Sequence, residues 1–187
     1  MRGHQIDHIG YVVVRSLNFA NQAKADLDMA FTVAAYHDVG HHIDHKNHEK
    51  ISSERVLADE ELRKFFTEEQ IQTIAEAVYD HRATMEGEPR SVYGKIVSSA
   101  NRNTTIEEPL RRTYAYRKEH GAETLLDEII EESRQHLLQK YGRAGYAREK
   151  MYFDDPAYEQ YLKNITELAE DKAAFRRRYL SVNHLEG

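Results

Sequence analysis

The 187 residues carry 26 Lys and Arg against 32 Asp and Glu, a formal net charge of −6, and 40% of the residues are hydrophobic. That balance excludes a disordered polar tail, and no apolar run approaches the length needed to span a bilayer. There is no cysteine, so disulfides and thiolate metal sites are excluded, and any metal must sit on imidazole and carboxylate. The length is near that of one domain and suffices to bury a core without staples. The acidic balance argues against nucleic acid as a partner. The first residues lack an apolar stretch of the secretory kind, so the expectation is a cytoplasmic protein with no membrane partner. Of the 11 histidines, five fall together: His37, His41, His42, His45 and His48. Such a cluster points either to metal binding or to a solvated polar loop.

Helical signals dominate the chain from its start. Ile9, Val12, Val13, Leu17 and Ala20 recur at helical spacing and predict a helix over 6–24. The run Tyr11 to Val14 leaves a short strand there as the lesser alternative. Residues 27–38 read as a nearly all-apolar, buried helix, with Gly40 as its stop and 41–47 as loop. Helices over 48–58 and 60–66 follow. Thr67 and Gln70 form a capping box that opens a helix with Ile71, Ile74, Val78 and then His81 on one stripe. Glu86 to Pro89 reads as a loop and 91–102 as a helix; Pro109 starts another that runs to about 120. Gly121 interrupts, a helix covers 122–141, and Asp155-Pro156 opens a last stretch, broken at most once, that ends near Leu180. The expected fold class is all-α, in one domain over 1–187, with a core over 1–120 and a helical extension over 121–187 packed on it.

The chemistry centres on His37-Asp38 at the end of the apolar helix. Neighbouring residues on a helix point about 100° apart, so both can reach one ion beyond its C-terminal end. A buried, unpaired Asp is costly, and a metal or a basic partner relieves that cost. The alternative is a helix-terminal pair exposed to solvent. His8, near the start of the first helix, and His81, at the end of an apolar stripe, add to the set. A lone histidine on an apolar face is usually a satisfied core residue. Several around one His-Asp pair are harder to explain that way. Imidazole with carboxylate suits Mn, Fe, Co, Ni or Zn better than Mg.

These residues occur in an ordered set of motifs. Asp7-His8-Ile9 is followed by Tyr36-His37-Asp38-Val39-Gly40, then by Asn47-His48-Glu49, Asp80-His81-Arg82, and Ser99-Ala100-Asn101-Arg102. Over about 4–120 the sequence resembles the HD-domain metal-dependent phosphohydrolases, whose pattern is His, His-Asp and a distant Asp. The resemblance extends to a clostridial-type subgroup with a similar helical tail. It implies an HD-domain helical bundle and a divalent metal ion held by His8, His37, Asp38 and Asn101. Asn101 departs from the family, which has Asp there. An amide oxygen can bind a metal but brings no negative charge. The Gly-Tyr-Pro motif of the cyclic-dinucleotide branch is missing after His81, where Thr84 to Pro89 stands instead.

The resemblance further implies hydrolysis of a small phosphate ester such as a nucleotide, with Asp38 orienting the attacking water. His48 and His81 would contact the phosphate or a second metal, the alternative being capping or core histidines. Arg82, Lys95 and Arg102 stand beside motif residues and would hold a phosphate, the alternative being solvated surface charges. Asp80 would orient His81 or lie at the surface; Asp44 and Asp80 are the carboxylates left to compensate for Asn101. The rival function is an HD-fold sensor of metal or nucleotide, weakened in catalysis by Asn101. A purely structural helical protein is the third.

Overall fold

Local signals in the chain set where several of the helices begin. In the computed structural model, Asp26 accepts from the backbone N–H groups of Asp28 and Met29 at 2.9 and 3.0 Å and starts a helix at Leu27. Thr67 accepts from Gln70 N while Gln70 Oε1 accepts from Thr67 N, which closes the expected capping box. Ser91, Asp155 and Asp171 cap three more helices by accepting from backbone N–H groups, without the reciprocal bond of a box. The structure describes residues 2–82, 85, 87–120 and 125–185, with side chains from His8 onward. The expected interruption at Gly121 and parts of the Thr84 to Pro89 segment lie outside them.

Among the described residues the fold is all-α. Nine helices run α1 (Arg2–Ala23), α2 (Leu27–Tyr36), α3 (His48–Ala58), α4 (Glu68–Tyr79), α5 (Val92–Ala100), α6 (Glu107–His120), α7 (Leu126–Tyr141), α8 (Pro156–Glu170) and α9 (Lys172–Val182). Short 3-10 turns cover Glu60–Lys64 and Tyr146–Arg148. Tyr11 to Val14 lies inside α1, so helical periodicity overrides the local β preference there. The chain divides into two compact units, Met1–Arg102 and Asn103–Gly187.

In the first unit α1 packs on α2 and α5, α2 on α4 and α5, and α4 on α3 and α5. Val12 and Phe19 of α1, Val33 and Ala34 of α2, Ile71, Ile74 and Val78 of α4, and Ile96 and Val97 of α5 are buried between them. Burying each of the larger of these side chains is worth about 1.5–3 kcal/mol. Two apolar stripes end in a histidine: Ala30, Val33 and then His37, and Ile71, Ile74, Val78 and then His81. α2 stops at Tyr36, so His37 and Asp38 stand in the first turn beyond it rather than inside the helix. Gly40 does something other than stop that helix. A Cβ there would meet the His48 carbonyl oxygen at 2.7 Å and Ile51 at 2.8 Å, so glycine lets the 37–47 segment lie directly against α3. Its N–H donates to Ser52 Oγ at 2.9 Å.

In the second unit α7 packs on α6, α8 and α9. Its core holds Leu110, Ile129, Leu137, Leu162, Ile165 and Phe175 together with Tyr141, Tyr158, Tyr161 and Tyr179.

Candidate metal centre

Three imidazoles are fixed by one repeated device. The Nδ1 atoms of His37, His48 and His81 lie 2.7, 2.9 and 2.7 Å from the carbonyl oxygens of Ala34, His45 and Val78, each three residues earlier. A carbonyl oxygen only accepts, so each Nδ1 carries the hydrogen. For His37 and His81 the accepting oxygen is one that a helix C-terminus leaves unpaired. The proton on Nδ1 leaves Nε2 of a neutral ring with a bare lone pair, and all three Nε2 atoms point at Asp38.

Asp38 divides its carboxylate between two groups. Its Oδ2 lies 3.9 Å from His8 Nε2 and 3.6 Å from His37 Nε2, which are 3.4 Å from each other. Its Oδ1 lies 3.4 Å from His48 Nε2 and 3.6 Å from His81 Nε2, which are 3.1 Å from each other. Each triangle has a point about 2.0–2.1 Å from all three corners, the distance at which nitrogen and oxygen ligands hold Zn and similar ions. With both rings neutral and protonated on Nδ1, two lone pairs and a carboxylate oxygen face one another within the second triangle. Acceptors so placed repel unless a cation sits among them. The residues present therefore fit a divalent metal, and both groups, His8 with His37 and Asp38, and Asp38 with His48 and His81, could hold one.

Burial sets the charge states. His37 is fully buried, and desolvation pushes its pKa down against the opposing pull of Asp38. Desolvation, helped by His37, pushes His81 down to about 4. Both rings are therefore neutral near pH 7, as ligands must be. Burial works to raise Asp38, but the surrounding imidazoles, His37 foremost, outweigh it and hold its pKa below the usual carboxylate value. His8 and Asp38 form the accessible side of the cluster, with side chains 39% and 25% exposed.

Residues 6–106, more than half of the chain, match the family model of the HD domain. The chain belongs to the HD-domain family. No curated protein and no solved structure matches it. Among the described residues of this HD-domain chain, no helix is long and apolar enough to cross a membrane.

The other expected site residues of the HD domain are placed less uniformly. Asn101 is the half-buried C-cap of α5. Its neighbours are tied to α1, since Arg15 donates to the Ser99 and Ala100 carbonyls and Tyr11 Oη donates to the Arg102 carbonyl. Tyr11 stands one turn after His8, so the same face of α1 carries His8 and grips the end of α5. Arg82 Nη1 donates to Glu49 Oε1 at 3.1 Å and to the Lys46 carbonyl at 3.3 Å. Lys95 pairs with Glu88 at 2.9 Å. Asp80 neither orients His81 nor lies at the surface. It is buried, and both its oxygens accept from Arg90, with Nη2 to Oδ1 at 2.7 Å. Asp44 is engaged within its own loop by the Lys46 N–H and Asn47 Nδ2. Each of these two carboxylates is therefore engaged away from Asp38. The rings of His41 and His45 are 4.5 Å apart, and that of His41 is 5.3 Å from His48, which places them beside the cluster. Glu49 had no role on sequence grounds beyond its place in a motif; its only signal was adjacency to His48.

Proposed function

We propose that this HD-domain protein is a metal-dependent phosphohydrolase that cleaves a small phosphate ester, with nucleotides the first class to test. The observation that carries the reading is Asp38 set between two pairs of imidazoles whose Nε2 atoms converge on its oxygens. His8, His37 and Asp38 would hold one ion, joined by the amide oxygen of Asn101, and Asp38, His48 and His81 a second. The imidazole-rich donor set favours Mn, Fe, Co, Ni or Zn over Mg. When bound, such an ion polarises a phosphoryl oxygen and lowers the pKa of water.

The chain's own groups then have distinct tasks. Nδ1–H bonds to backbone carbonyls keep His37, His48 and His81 in the ligating tautomer without adjustment during turnover. Asp38 orients the attacking water through an accepted hydrogen bond. Water adds to phosphorus and gives up a proton, the ester P–O bond breaks, and the departing oxygen takes up a proton, so that one water is consumed and an alcohol and inorganic phosphate leave. Arg82, partly exposed beside His81, and Lys95 would each meet a phosphate oxygen. The accessible edge at His8 and Asp38 suits a small ligand. The acidic net charge and the absence of a spanning helix among the described residues favour a cytoplasmic enzyme without nucleic-acid or membrane partners.

Asn101 favours a second reading, a sensor that binds metal or nucleotide and turns over poorly, because the amide supplies no charge to offset the ion. Turnover on a nucleotide panel with added Mn or Co separates the two. The enzyme reading expects phosphate release that a chelator abolishes. Tight ion and nucleotide binding without release would favour the sensor, and no bound ion by elemental analysis would refute both.

A further inference from the structure

We infer that Glu49 is a positioning residue that acts through His48 and sets how tightly the Asp38–His48–His81 half of the centre holds its ion. The inference rests on the reading of that half as an ion site. Glu49 follows His48 in the first turn of α3, and its side chain is only 19% exposed. Its two oxygens have different fates. Oε1 accepts from Arg82 Nη1 at 3.1 Å. Oε2 is buried 3.5 Å from His48 Nδ1, on the side of the ring away from Asp38, and the carboxylate also takes a hydrogen bond from Glu49's own N–H.

A salt bridge to Arg82 needs only Oε1, and would not require the second oxygen to be buried against the His48 ring. Its place behind His48 gives it a use. The Nδ1–H of His48 already lies against the His45 carbonyl at 2.9 Å, and the nearby negative charge polarises the ring further. Electron density moves toward Nε2, the atom that faces Asp38 Oδ1 and His81. A carboxylate behind a ligating imidazole raises the ring's basicity and fixes its tautomer. The charge matters more here because one carboxylate, Asp38, serves both groups of imidazoles. Arg82 competes for the same carboxylate, so the pair Glu49–Arg82 tunes His48 rather than simply joining α3 to the end of α4.

The test is cobalt affinity at neutral pH, measured by competition with a chromophoric chelator. His8→Ala weakens the other half, and the effects are read in that background. Glu49→Gln, which keeps shape and removes charge, should weaken cobalt by about tenfold to a hundredfold, the usual range for such partners. Glu49→Asp should recover most of that loss. Arg82→Gln, which leaves the carboxylate to His48 alone, should bind within about threefold of the background or more tightly. Unchanged affinity in Glu49→Gln overturns the inference. So does an equal loss in Arg82→Gln, which would make the pair a structural tie. So too does loss of all binding on His8→Ala alone, which would put the ion in the other half. Failure of the natural protein to bind cobalt would instead refute the proposed function from which the inference starts.

Discussion

Three buried polar groups of the second unit and the histidine cluster of the first meet their surroundings in opposite ways. In the second unit the named polar groups close on one another. Ser133 Oγ and Tyr179 Oη lie 2.8 Å apart, Arg134 donates to the Ala169 carbonyl at 2.8 Å, and Thr166 Oγ1 donates to the Leu162 carbonyl at 2.6 Å. At these three places donors meet acceptors; Tyr161 Oη, buried in the same core, is not among them. In the first unit, His48 and His81 turn their Nε2 atoms toward each other and toward Asp38 Oδ1. A folded chain with no guest to hold gains nothing from acceptors aimed at acceptors. The contrast separates polar residues that complete a core from polar residues that could hold a cation.

Four perturbations test that contrast. The largest expected effect is on activity. His37→Ala should take phosphate release down by more than about a hundredfold, beyond the usual loss from an outer partner of a ligand, and should remove bound metal. Helix content by circular dichroism should stay nearly intact; global unfolding would make His37 a core residue of the second unit's kind. Phe175→Ala is the converse. Phe175 is fully buried beside Tyr179, and its loss should cost about 3–5 kcal/mol in denaturant unfolding. Cobalt affinity should not change, and a loss of affinity there would erase the distinction between the units.

The third perturbation is pH, applied to chelated protein. His81 has its folded pKa pushed down to about 4 from an ordinary 6.5. Above pH 6.5 neither state binds the proton and the full stability is present. Below it the unfolded chain takes up a proton that the folded chain refuses, so stability falls until about pH 4. The loss from this one group reaches at most about 3 kcal/mol, and His37 adds in the same direction. Asp38, held below 3.8, loses its contribution only beneath this window. Urea unfolding at pH 7.5 and pH 5 reads the difference; equal stabilities would mean that these imidazoles are not buried as neutral rings. The smallest effect is expected of Asn101→Asp. A second carboxylate should tighten cobalt binding by about tenfold, while in chelator it should lower the melting temperature through repulsion with Asp38. If metal stabilises the variant no more than the natural protein, position 101 is not a ligand.

Much of this was legible in the sequence because it depends on local rules. The apolar stripes of α2 and α4, the Thr67 capping box and the breaks between helices follow from spacing and side-chain chemistry. The ordered His and His-Asp motifs picked out His8, His37, Asp38, His48 and His81, and the structure brings these five together. What could not be read was pairing between distant residues. Arg90, ten residues from Asp80, captures that buried carboxylate, and nothing in spacing selects it over other arginines. Likewise Glu49 shows only as the neighbour of His48 until the fold places Arg82 against it. Gly40 reads as a helix stop in sequence, yet what demands glycine there is the close approach of α3.

The most direct test of the central claim is anomalous scattering from crystals of the natural protein grown with cobalt. The account predicts a peak about 2.0–2.2 Å from Asp38 Oδ1 and from the Nε2 atoms of His48 and His81, with a second on the His8 and His37 side at saturating metal. Nε2 atoms still 3.1 Å apart with no peak between them would contradict it.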